Sequence, residues 1–597
     1  MHSQIMKRSA LLVLALLLTT GAWARAASEK PESFVLKIVE TTDTHGALMP
    51  YDFIKNKEAG TSLAQVMSLV EEERAIDGQE VLLVDNGDIL QGQPTVYYSN
   101  FEAVNETHIV SEVMNYMGYD VGSVGNHDVE AGHDVYDKLV QEFEFPWLAA
   151  NVVKAGTDEP YFTPYTVFER KGAKIAVLGM CTPGVPTWLP ENLWEGMEFK
   201  GMKETAEIWV PRIMEEEQPD ILIGLFHAGT DFTYGGYSKD DVLNPNGSLI
   251  VAQEVPGFDI VFTGHDHQTH NEVITNSVGE EVLILGGNNT ARNLGVATIQ
   301  MDYDSAKKDW TASITGELID GEALPVHPGF ANEFAEEKEE ILDYVNKPIG
   351  EFTESITTQD SMFGDSPFVD LIHHIQLELT GADVSFAAPL SMNATIEEGD
   401  VFVRDMFLLY KYENLLYTME LTGAQIDAFL EYSYGNWMET MEGPDDSLIR
   451  FKRDENGELV FNERYNSYDT AARYYNYDSA AGIDYVVDVR KPLGEKVDIT
   501  AFSDGRPFDE NATYEVAINS YRASGGGGHL TRGAGLEKSE LPALTLGSTD
   551  KDLRFYLLKW IENEGIVNPE SDGNWTIEPA EWAAAGREKS FPMLYGN

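Results

Sequence analysis

Five times before residue 270, a short apolar run leads straight into a cluster of carboxylates, imidazoles or carboxamides. Phe34 to Val39 runs into Thr42-Asp43-Thr44-His45-Gly46. Val81 to Val84 runs into Asp85-Asn86-Gly87-Asp88. Val121 to Val124 leads to Gly125-Asn126-His127-Asp128, Ile221 to Phe226 ends at His227, and Ile260 to Phe262 leads to Gly264-His265-Asp266-His267. The runs read as strands, and helix-like segments alternate with them from Ser33 to about Pro325, the pattern of a layered α/β domain. In open α/β sheets ligands gather outside the carboxyl ends of the strands, so five such clusters can meet at one place. Residues two apart on an extended chain point the same way, so Asp43 and His45 are expected to face one target, as are His265 and His267.

The clustered groups are metal ligands without a thiolate, a mix that suits Mn, Fe, Zn or a similar divalent ion. The single cysteine, Cys181, rules out an intrachain disulfide, a zinc ribbon and a thiol redox motif. Charge narrows the partners further. Forty-one basic against 100 acidic residues give −59, which does not fit the phosphate backbone of a nucleic-acid polymer. A chain this acidic repels itself and is most comfortable where salt screens it.

The order of the clusters, D-x-H, G-D, G-N-H-[DE], a lone His, then G-H-x-H, resembles the calcineurin-like metallophosphoesterases. The resemblance implies a four-layer α/β/β/α sandwich holding two divalent ions (Mn, Zn, Co or Fe). Asp43, His45, Asp88 and His267 would hold one ion, and Asp88, Asn126, His227 and His265 the other, with Asp88 shared. His127 would be the catalytic imidazole and Asp128 its orienting carboxylate. Two ions about 3.5–4 Å apart can clamp a phosphoryl group and lower the pKa of a water between them.

The chain beyond residue 350 has apolar runs enough for a second core. Its tyrosines gather near glycines: Tyr410-Lys411-Tyr412-Glu413-Asn414, Tyr474-Tyr475-Asn476-Tyr477, and Asn519-Ser520-Tyr521-Arg522 leading into Gly525 to Gly528. Aromatic faces stack nucleobases. This half is similar to the C-terminal domain of the secreted 5′-nucleotidase superfamily, an α+β nucleotide-binding domain. That likeness implies that Tyr412 and Tyr521 sandwich a base, with Asn414 and Arg522 as further substrate contacts.

Several stretches resemble the 2′,3′-cyclic-nucleotide 2′-phosphodiesterase/3′-nucleotidase branch: Glu40 to Asp43 with Tyr51-Asp52-Phe53, Asp85 to Asp88 with Gln91-Gly92, Phe386-Ala387-Ala388-Pro389, and Tyr521 to Gly526. Leu390-Ser391-Met392-Asn393 stands where the 5′-nucleotidase/UDP-sugar hydrolase branch carries an arginine turn. Val129-Glu130 and Gly287-Asn288-Asn289 depart from the nearer branch as well. The expected activity is a nucleotide-scavenging cyclic phosphodiesterase and 3′-nucleotidase. The alternatives are a 5′-nucleotidase or UDP-sugar hydrolase and, from another class, a non-catalytic nucleotide-binding protein.

Lys7-Arg8, the apolar run Ala10 to Leu18 and Ala24-Arg25-Ala26 read as an export signal over residues 1–26. Its removal takes away three basic residues and no acid, moving the charge from −59 to −62. The expected organisation is a metallophosphoesterase domain over 27–325, an acidic linker helix within 326–350 and a substrate-binding domain over 351–597. The linker is expected to be the hinge between the domains. A periplasmic monomer acting on small nucleotides, without stable membrane association after signal cleavage, completes the reading.

Overall fold

The computed structural model describes residues 32–234, 237–463 and 466–596, so the expected signal segment lies outside the described residues. Each of the five apolar runs is a strand: Phe34–Thr41, Gln79–Asp85, Val121–Ser123, Ile221–His227 and Ile260–Thr263. They divide between two six-stranded sheets. The first orders its strands, by first residue, 309, 293, 34, 79, 121, 147, and the second 270, 281, 260, 221, 173, 165. In each sheet a parallel core carries antiparallel strands at its margin.

The parallel strands are apolar on both faces because both are covered. Leu36, Ile38, Leu82 and Val84 of the first sheet meet Val177, Ile223, Leu225 and Phe262 of the second in one buried cluster. Helices Leu63–Arg74, Ile109–Met117 and His133–Glu142 cover the outer face of the first sheet. Helices Met202–Glu216 and Ser248–Glu254 cover the second. The result is the expected four-layer α/β/β/α sandwich.

The connecting segment differs from the single hinge helix expected. It forms two helices, Pro328–Glu333 and Ala335–Val345, broken at Phe334. Phe330, Phe334, Ile341 and Val345 are all buried in the first domain's outer core. These buried apolar residues make the segment a docking face on the first domain, while Tyr344 packs against the second domain's cluster. The second domain is α+β, built on a five-stranded sheet ordered 479, 384, 513, 415, 545, with apolar clusters on both faces.

Tyr97 of the first domain is buried in the second domain's cluster with Phe407, Leu553 and Leu557. Its hydroxyl donates to Asp552 (3.0 Å), and the Arg554 guanidinium lies over the rings of Tyr97 and Phe407 (4.9 and 4.1 Å). No helix among the described residues is long and apolar enough to cross a membrane.

Candidate active site

The strand ends do not continue as extended chain. Asp43, His45, Asp88, His265 and His267 all have φ between 49° and 73°. Non-glycine residues in that left-handed region are uncommon, and such strain gathers where function holds it in place. Left-handed turns, and not the two-residue period of a strand, therefore aim these side chains. Glycines let the turns approach: a Cβ on Gly125 would lie 2.2 Å from Asp88 Oδ1, and one on Gly264 would lie 2.4 Å from Thr42 Oγ1.

Two groups of potential ligands result. Asp43, His45 and His267 place one ligand atom each within 4.8 Å of one another, and so do Asp88, His227 and His265. Asn126 joins the second group, with its Oδ1 2.8 Å from His265 Nδ1. His45 Nδ1 donates to the carbonyl of Gln91 (2.9 Å), and His227 Nδ1 to that of Asn86 (2.6 Å). Such bonds fix the tautomer and leave each Nε2 to face a ligand.

The electrostatics ask for positive charge. Burial, then His267, pushes His45 down to about 3, and burial, then His227, takes His265 to about 4, so both imidazoles are neutral donors. Burial opposes ionisation of Asp88, but His227 and His127 hold its carboxyl well below the ordinary range. Burial likewise opposes a charge on His227, yet Asp88 raises it to about 10. His227 thus carries a proton where a cation would serve. Its Nε2 is buried 3.1 Å from Asp88 Oδ2 without the alignment of a hydrogen bond. The orphaned nitrogen, the N/O donor set and the anionic Asp43 and Asp88 fit divalent ions.

His127 follows Asn126 on the short helix Asn126–Glu130. Its Nδ1 lies 2.5 Å from Glu130 Oε2, leaving Nε2 for the cleft. Burial would lower its pKa, but Asp88 and Glu130 raise it to about 9. Asp128 is not its orienting carboxylate. Both Asp128 oxygens are taken by the backbone N–H groups of Asp88, Ile89, Leu90 and Gly125, at 2.8–3.1 Å. Sequence reading passed over Glu130, though a carboxylate three residues after a histidine on a helix is a readable signal. It also missed Trp188, whose ring stacks on His265 at 5.3 Å.

From the second domain, Tyr412 comes to this cleft. After burial, the phenols of Tyr474, Tyr475 and Tyr521 and the Glu130 carboxylate all raise its pKa, so an acid of the first domain acts on a tyrosine of the second. Glu413, ion-paired with Arg554 (3.4 Å), is pushed up to about 8 by burial, with Glu130 adding to the rise. The glycine run is packed: Gly526 lies against the Tyr521 ring, where a Cβ would come within 2.5 Å. Asn414 is buried beside Tyr410. Arg522 is not available as a substrate contact. It is 1% exposed and commits its guanidinium to Asp478, Tyr475 O and Gly526 O, so it builds the floor under Tyr521.

Comparisons with known proteins agree with this architecture. Residues 36–269 match the model for calcineurin-like phosphoesterase, and residues 348–532 that for the 5′-nucleotidase C-terminal domain. The trifunctional nucleotide phosphoesterase protein YfkN of Bacillus subtilis is 27% identical over 95% of this chain, which spans 40% of that longer protein. The 2′,3′-cyclic-nucleotide 2′-phosphodiesterase/3′-nucleotidase of Haemophilus influenzae is 26% identical over 96% of this chain and 91% of its own length. The solved 5′-nucleotidase precursor of Thermus thermophilus superposes with a TM-score of 0.60 at 20% identity, covering 91% of this chain and 99% of its own. A calcineurin-like phosphoesterase domain implies divalent metal ions, and the two ligand groups fit them. The chain is thus a phosphoric ester hydrolase of the two-domain 5′-nucleotidase fold, a calcineurin-like phosphoesterase domain followed by a 5′-nucleotidase C-terminal domain.

Proposed function

We propose that this chain is an exported 2′,3′-cyclic-nucleotide 2′-phosphodiesterase/3′-nucleotidase that scavenges nucleotides in the periplasm. What supports the reading is proximity: beside the two ligand groups and His127 with its partner Glu130, Tyr412 of the second domain lies near enough for the Glu130 carboxylate to act on it. Asp43, His45 and His267 would hold one divalent ion, and His227, His265 and Asn126 a second, with Asp88 between them. Bound there, Mn, Zn, Co or Fe ions would neutralise phosphoryl oxygens and activate a water.

The chain's own groups do the rest. Tyr412 and Tyr521 hold the base between aromatic faces and so fix the phosphate at the ligand groups. His127, kept protonated by Asp88 and Glu130, offers Nε2–H to the leaving ribose oxygen. Glu130 holds the Nδ1 side of the ring, which turns Nε2 toward the cleft. The raised pKa of His127 keeps that proton in place at neutral pH.

Phosphate or ester release from 2′,3′-cyclic AMP, 3′-AMP, 5′-AMP and UDP-glucose, with Mn, Co and Zn supplied in turn, tests the reading. The cyclic nucleotide and 3′-AMP are expected to turn over fastest. Preference for 5′-AMP or UDP-glucose would assign the chain to the other branch, and binding without turnover would make it a nucleotide-binding protein.

A further inference from the structure

A third acidic group lies in the second domain, away from the cleft. Asp365 sits in the loop before helix Pro367–Thr380, Asp370 in that helix's first turn, and Asp572 in the loop before strand Trp575–Glu578. One oxygen of each lies within 4.8 Å of the other two. The backbone N–H of Asp572 donates to Asp370 and that of Gly573 to Asp365, both at 3.1 Å. These bonds draw the loops together without cancelling the charges. Among the described residues, the largest charge effects on the trio come from its own members and Asp484.

Beside the trio is a cavity of about 10 Å³, room for one water-sized body, lined by Asp365, Asp370, Ser366, Ser479 and Tyr477. Tyr477 is 2% exposed, and its hydroxyl has no hydrogen-bond partner. Asp365 Oδ1 is also buried without one. Buried polar groups are nearly always paired, so two unpaired oxygens at one small cavity point to an occupant. Every donor is a hard oxygen and the segments are irregular. Ca²⁺ accepts six to eight oxygens in loose geometry, whereas Mg²⁺ demands a near-ideal octahedron.

We propose that Asp365, Asp370 and Asp572 form a structural calcium site, with the Tyr477 hydroxyl donating to a ligand carboxylate or to a water on the ion. The ion ties the segment before the last strand to the helix that begins at Pro367, segments some 200 residues apart in the chain.

The test is thermal unfolding of the enzyme with its catalytic ions loaded, with added Ca²⁺ or Mg²⁺. Ca²⁺ at a hundredfold above Kd is expected to raise Tm by about 5 °C or more, and Mg²⁺ far less. Tb³⁺ in the same site should luminesce through Trp575, which lines the cavity. Asp370→Asn and the exposed Asp572→Asn should each lose the Ca²⁺-dependent rise and the Tb³⁺ signal while keeping phosphate release. A rise that persists in both variants, or no rise and no Tb³⁺ signal in the unaltered enzyme, would overturn the proposal.

Discussion

On the helix Asn126–Glu130, His127 and Glu130 are three positions apart and so neighbours on one face. Their 2.5 Å contact and the charge of Asp88 make an imidazole that holds its proton in a buried place. Glu130→Gln keeps a partner for Nδ1 and removes the charge. It is expected to keep its metal content and nucleotide KM while kcat falls about 10- to 100-fold, a share of what a positioned acid contributes. Because Glu130 raises the His127 pKa, its loss should also move the alkaline limb of the kcat profile to lower pH. Metal analysis beside a pH–rate profile checks this, and an unmoved limb would show that Glu130 does not act through His127. The residue types and order of the two groups that could hold ions were legible in the sequence. The partner of His127 was not, because motif order put Asp128 in that role and left Glu130 as a mere departure from pattern.

The turns after the strands are the elements that make the site. Asp128 ties two of them together by accepting four backbone N–H groups, three from the turn that carries Asp88. Asp128→Ala would leave buried N–H groups unpaired and is expected to cost about 3–5 kcal/mol of stability. Urea unfolding measures it, and a loss of activity with stability unchanged would return Asp128 to a catalytic role. Apolar runs announce strands, because a strand buried on both faces must be apolar throughout. They do not announce the left-handed φ of Asp43, His45 or His267, which long-range contacts impose. Helical periodicity likewise located the 330–347 segment but not the break at Phe334, nor that its stripe packs on the first domain.

At the scale of the molecule, two domains were legible from two sets of apolar runs, while the contact between them was not. Tyr97 of the first domain is buried beside Phe407 and bonded to Asp552, a contact between distant parts of the chain that no local pattern announces. Arg522, next to Tyr521 in a motif, reads as a ligand contact until its burial against Asp478 is seen. The central claim is that one substrate spans both domains, its phosphate on the first and its base on the second. The direct measurement is kcat/KM for 2′,3′-cyclic AMP against bis(p-nitrophenyl) phosphate in the Tyr412→Ala/Tyr521→Ala enzyme. Loss of stacking should lower the nucleotide value by about 10- to 100-fold and leave the aryl diester within about twofold. An equal fall for both substrates would contradict the account.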